Sequence, residues 1–206
     1  MLKIVCGAIK SDQFFRETSL RYKEILDIYQ KNESEFEQID GPLKYTPLYD
    51  ILGAWVPQIN SFDAIKENLP KGDDYKIVAI GISSISKIHG KSPHTDDHPT
   101  DGRFKRFHLP LKLTPSSKIS VLENDVLKEY TWDLGKWMEF TGVHLPHFPS
   151  NDENSPRIVM LVDVFLGDVD NRDIFEWYET IDELGWFRGI SWKNNYIDYV
   201  NNKPSI

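Results

Sequence analysis

The sequence predicts a mainly β protein with helices at its flanks, and three observations carry that prediction. Between Tyr75 and Leu166 five strand-like runs succeed one another with no helical periodicity between them. Outside that stretch, apolar residues recur at helical spacing near the start and again near the end. The 206 residues, 40% apolar and 27% charged, suit one domain with a sizeable core. Short strands in succession point to an antiparallel sandwich or barrel, not a βαβ sheet.

Taken in order, residues 11–31 read as one helix, with Tyr22, Ile25, Leu26 and Tyr29 on a single face. A polar, acidic stretch follows and ends in the turn signal Asp40-Gly41-Pro42. Residues 61–69 read as a short helix capped by Ser61, with Pro70 just beyond. The strand-like runs are 75–85, 103–113, 118–122, 136–140 and 157–166, with Gly, Pro, Asn and Asp in the gaps. Asp170 then caps a helix whose stripe is Ile174, Trp177, Tyr178, Ile181 and Leu184, and Gly185 stops it. The expected organisation is a single domain over 1–206. It has a helical N-terminal part (about 1–74), a β core (about 75–167), and a C-terminal helix and tail (168–206).

Composition narrows the function classes. A formal net charge of −8 disfavours non-specific nucleic-acid binding, which needs clustered Lys and Arg to neutralise phosphates. Cys6 is the only cysteine, so neither an intramolecular disulfide nor a thiolate cluster is expected. The apolar run 4–9 is too short to span a membrane and its flanks do not resemble a signal peptide. A cytoplasmic location, with no membrane and no nucleic-acid partner, is therefore the expectation.

One set of residues suggests chemistry. In an extended segment, side chains at i and i+2 share a side, so His94 and Asp96 can reach one cation together. A third ligand from a distant strand, for which His147 is the best candidate and His144 the rival, would complete two histidines and a carboxylate. That donor set leaves open positions and suits non-haem Fe(II). Arg157 shares a strand face with Val159 and Leu161, where an arginine needs an anionic partner. A bound dicarboxylate fits the guanidinium fork, and Asp163, on the same parity, is the structural alternative. On the 103–113 run, Phe107, Leu109, Leu111 and Leu113 face one way, towards the helices. Phe104, Arg106 and His108 face the other, into a cavity for a charged ligand.

The segment 93–163 resembles the aspartyl/asparaginyl β-hydroxylase family of Fe(II)- and 2-oxoglutarate-dependent oxygenases. The residues that carry this are Pro93-His94-Thr95, Arg106-Phe107-His108-Leu109, Trp132-Asp133-Leu134-Gly135-Lys136, His147, Arg157 and Val162-Asp163, in that order. The resemblance implies a double-stranded β-helix (jelly-roll) core, with His94 and His147 as iron ligands. It implies that Arg157 pairs with the distal carboxylate of 2-oxoglutarate, that Arg106 and His108 contact the same cosubstrate, and that Ser83 does so too. It implies an enzyme consuming 2-oxoglutarate and O2, releasing succinate and CO2, and hydroxylating a peptidyl Asp or Asn or a small molecule.

The chain departs from the family pattern at three places. Characterised animal members have Gly two residues after the first metal His, where this chain has Asp96. That residue either completes the facial triad or faces solvent. The loop between Phe140 and His147 is one residue longer, and Phe148-Pro149 replaces the usual polar-apolar pair. Two other readings are a jelly-roll metal-binding protein without activity and a cupin-like metalloenzyme that uses no keto acid.

Overall fold

The computed structural model describes residues 12–33, 43–50, 75–87, 93–96, 103–140 and 144–167. The single helix predicted over 11–31 is two helices, α1 (Asp12–Leu20) and α2 (Tyr22–Asn32), meeting at Arg21 with φ −101° and ψ 12°. Trp137 ties α1 to the β core: its indole N–H donates to the Phe15 carbonyl at 2.9 Å and to Thr18 Oγ1 at 3.1 Å. Ile25 and Tyr29 are buried, and Tyr22 and Leu26 pack beside them, as the periodicity predicts.

Among the described residues eight strands follow: β1 (Leu43–Asp50), β2 (Tyr75–Ile85), β3 (Phe104–Lys112), β4 (Lys118–Glu123), β5 (Val126–Tyr130), β6 (Met138–Phe140), β7 (His147–Ser150) and β8 (Arg157–Leu166). They form two antiparallel sheets, ordered β1-β2-β8-β3-β6 and β5-β4-β7, the two layers of a jelly roll. β1 lies inside the stretch the sequence assigns to helix, and β5 and β7 are not predicted. Pro47 and Pro149 interrupt the strand signal in β1 and β7. In β5 the residues Val126–Glu129 are all exposed, so no apolar alternation marks them. β6 begins at Met138, two residues later than the run 136–140 suggests. The helices predicted over 61–69 and 170–184 lie outside the described residues.

The hydrophobic core lies between the larger sheet and α2. Ile80 and Ile82 of β2, Phe107 and Leu109 of β3, and Ile158, Met160, Val162 and Val164 of β8 pack with Ile25 and Tyr29. Each such side chain contributes about 1.5–3 kcal/mol on burial. The parity read from β3 and β8 therefore holds, and the opposite face carries the polar residues. Register sets Ser83 against Val159, His108 against Leu161, and Arg106 against Asp163, all on that other face. Among the described residues no helix is long and apolar enough to cross a membrane.

Candidate active site

The two histidines are brought together by the backbone. His94 N–H donates to the His147 carbonyl at 3.0 Å, and His147 N–H returns the bond to the His94 carbonyl at 2.8 Å. Residues that exchange both bonds stand directly opposite, with side chains on one side of the ladder. Their ring centroids are 4.7 Å apart. Residues 93–96 thus run beside β7, the strand that β4 anchors through the pairing of His147 with Val121.

Asp96 comes in two residues after His94, as the extended spacing requires. It is 7% exposed, so the solvent-facing alternative is excluded. Its Oδ1 lies 3.9 Å from His94 Nε2 and its Oδ2 lies 3.6 Å from His147 Nε2. Ligand atoms of His94, Asp96 and His147 all fall within 4.8 Å of one another, so one ion can be shared by the three; His144 is not in the group. The Leu145 carbonyl lies 2.9 Å from His147 Nδ1. That bond places the proton on Nδ1 and leaves the Nε2 lone pair for a cation.

Arg157 stands apart from every carboxylate among the described residues. It is 3% exposed, and among the described residues its Nη2 reaches only Ser83 Oγ, at a long 3.4 Å, while its Nε finds no hydrogen-bond partner. The Trp132 ring covers it, with Cζ 4.6 Å from the ring centroid. Burial without an anion pushes the guanidinium down to about 9, still charged at neutral pH. The sequence offers Asp163 as a structural partner for Arg157, and the structure corrects this. Asp163 accepts from Arg106 instead, Nε to Oδ1 at 2.6 Å and Nη2 to Oδ2 at 2.7 Å. The sixth residue along β8 from Arg157 lies far down the strand, and β3 sets Arg106 directly opposite it. Arg106 also donates from Nη1 to Asp96 Oδ2 at 2.5 Å, so all three guanidinium nitrogens meet carboxylates of the protein.

His108 touches Trp132, which covers Arg157, and Phe140, which meets His147. Burial lowers His108 well below the usual histidine value, and the charges of Arg106 and Arg157 lower it further. It is neutral at physiological pH, and Trp132 Nε1 donates to its Nδ1 at 3.3 Å. Phe140 stacks on His108 at 5.0 Å and meets His147 edge-on at 4.9 Å. Ser83 has the parity that faces Arg157, whereas Ser84, opposite Ile158, has the other.

Sequence reasoning gave Trp132 no role beyond the Trp-x-x-Gly-Lys resemblance. A usable signal was there: a bulky aromatic three residues before a glycine in a tight turn. Gly135 has φ +71°, and a Cβ on it would sit 2.7 Å from the Tyr22 ring. Its N–H donates to the Pro110 carbonyl at 3.0 Å and its own carbonyl accepts from Ser19 Oγ. The turn is clasped between the helices and β3, which fixes where Trp132 enters the site.

Residues 62–166 match the model of a family described as aspartyl/asparaginyl beta-hydroxylase, a span that contains every residue of this site. Compared by sequence with curated proteins, the chain matches none. Among solved structures it is similar to an oxidoreductase of the 2OG-Fe(II) oxygenase family from Burkholderia pseudomallei. That match has TM-score 0.50 and 8% identity, covering 79% of this chain and 95% of the other. A Pseudomonas putida prolyl-4-hydroxylase gives TM-score 0.47 at 12% identity over 73% and 88%. HygX from Streptomyces hygroscopicus, solved with nickel and 2-oxoglutarate, gives 0.47 at 8% over 70% and 79%.

Proposed function

This chain belongs to the aspartyl/asparaginyl β-hydroxylase family, and on that premise we propose that it is an Fe(II)- and 2-oxoglutarate-dependent oxygenase, a single catalytic domain over 1–206. The observation that carries the reading is the presence of two kinds of binding group in one site. Ligand atoms of His94, Asp96 and His147 converge within 4.8 Å of one another, and the buried Arg157 has no carboxylate among the described residues.

The residues fit the groups they would hold. His94, Asp96 and His147 offer two imidazole nitrogens and a carboxylate oxygen, the donor set of a facial triad that leaves positions for a chelating keto acid and O2. Arg157, with Ser83 beside it, would take the distal carboxylate of 2-oxoglutarate, and a carboxylate there would restore the charge balance that burial upsets. The Trp132 ring covers the guanidinium, and Trp132 is itself tied to His108 by its indole N–H, so Arg157 is pre-set before the cosubstrate arrives. His108 stays neutral and adds no charge between the two ends of a dianion. With both bound, Fe(II) and 2-oxoglutarate supply oxidative decarboxylation by O2, giving succinate, CO2 and the oxidising power for hydroxylation. The hydroxylated compound is a peptidyl Asp or Asn or a small molecule. The lone Cys6, which needs no oxidising compartment, suits a cytoplasmic site of action.

Turnover without the prime substrate tests this. With Fe(II), 2-oxoglutarate and O2, the wild-type protein should release succinate slowly, and Arg157→Ala should release far less. A folded wild type that leaves 2-oxoglutarate intact across candidate peptides and amino acids would sink the proposal.

A further inference from the structure

We propose that Arg106 and Asp163 are positioning residues for Asp96, holding one of its carboxylate oxygens so that the other is presented to the cation. The inference rests on reading His94, Asp96 and His147 as metal ligands. It departs from the cosubstrate contact that the sequence resemblance implies for Arg106.

Cross-strand register is the starting point. Arg106 of β3 and Asp163 of β8 are directly opposed, so their side chains leave the sheet on the same face. Two parallel bonds, of 2.6 and 2.7 Å, lock the guanidinium plane to the Asp163 carboxylate. A fork held at two points has no freedom left at its third nitrogen. That nitrogen, Nη1, meets Asp96 Oδ2 at 2.5 Å. The three side chains are 14%, 5% and 6% exposed, for Arg106, Asp163 and Asp96 respectively, so water does little to loosen the arrangement.

The consequence falls on Asp96. Oδ2 lies 3.6 Å from His147 Nε2 but is engaged by Arg106 at 2.5 Å, which leaves Oδ1, 3.9 Å from His94 Nε2, as the oxygen without a close donor among the described residues. A carboxylate fixed in this way acts through one oxygen, which keeps coordination positions open. Charge supports the same assignment. A lone guanidinium touching a metal ligand would repel a divalent cation and weaken the ligand's negative charge. Asp163 offsets the arginine's charge through its two bonds, so the guanidinium that touches Asp96 is not a lone cation beside the metal position. Arg157, in contrast, has no carboxylate among the described residues, which makes it the anion-binding arginine of the site.

Co(II) alone is the probe, followed by calorimetry and by its visible ligand-field spectrum, with no cosubstrate present. Arg106→Lys keeps the charge and loses the fork, while Asp163→Asn keeps the shape and loses the charge. Each should weaken Co(II) binding about 10–100-fold, the usual effect of removing a group that orients a metal ligand. Both spectra should move towards that of Asp96→Asn, a change that mere destabilisation would not produce. At saturating Co(II), affinity for 2-oxoglutarate should stay near the wild-type value in both. Wild-type Co(II) affinity and spectrum in Arg106→Lys and Asp163→Asn, with or without weakened 2-oxoglutarate binding, would overturn the positioning role. A wild type that binds no Co(II), or binds it undiminished after His147→Ala, would overturn the metal reading as well. The two failures are thus separate.

Discussion

Arg157 is the residue whose environment says most, because its charge is buried and unanswered by any described carboxylate. Truncating one partner of a buried ion pair ordinarily destabilises a protein, since the other charge is stranded. Here no carboxylate among the described residues is stranded. Arg157→Met is therefore expected to keep or raise the stability of the apoprotein, by on the order of 1 kcal/mol. In the same variant 2-oxoglutarate should no longer raise the melting temperature of the metal-loaded protein, whereas at about 100 times its Kd it should add roughly 2.7 kcal/mol to the wild type. A large loss of apo stability with cosubstrate stabilisation intact would mean a purely structural arginine. His108 carries a pH signature. Its folded value lies well below the ordinary 6.5, so the unfolded chain takes up a proton that the folded one refuses. Stability from this residue is whole above about 6.5 and is lost as pH falls from there towards the folded value, with a slope of up to about 1.4 kcal/mol per pH unit. Denaturant unfolding between pH 5 and 7.5 should show that slope in the wild type and a shallower one in His108→Gln; identical slopes would contradict the assignment.

At the scale of elements, the turn before β6 couples the helices to the site. Gly135→Ala puts a side chain at positive φ and drives a Cβ against the Tyr22 ring. The expected cost is about 1–3 kcal/mol, read by thermal or denaturant unfolding. Trp132, displaced with its turn, should cover Arg157 less well, so 2-oxoglutarate affinity should fall in the same variant while Co(II) affinity holds. Much of this level was legible in the sequence where strands alternate. The face assignments of Arg106, His108 and Arg157 needed only a period of two, and each is on the face predicted. What stayed hidden has physical reasons. Pro47 and Pro149 mask two strands, and β5 exposes nearly all its side chains and so shows no pattern. The hairpin joining β4 to β5 turns at Asn124 and Asp125, both at positive φ, a signal the residue pair did carry. The Arg106–Asp163 pair was not readable, because it depends on β3 and β8 being neighbours, which no local pattern reveals.

Over the whole molecule, the larger sheet has a division of labour between its faces. One packs against α2 and forms the core; the other lines up Ser83, Arg157, His108, Arg106 and Asp163 across three adjacent strands. The smaller sheet brings His147, and with it His94, to the same place. A jelly roll of this kind hosts many chemistries, so fold alone names none of them; the site residues carry the functional argument. Their central claim is that the metal-ligand group and Arg157 serve one bound cosubstrate. Anaerobic titration of the protein with Fe(II) and 2-oxoglutarate tests it most directly, by the visible charge-transfer band of a keto acid chelated to Fe(II). A band that saturates with one equivalent of each, vanishes in His147→Ala and requires far more 2-oxoglutarate in Arg157→Met is the predicted result. No band from folded wild-type protein, or an undiminished band in His147→Ala, would contradict the account.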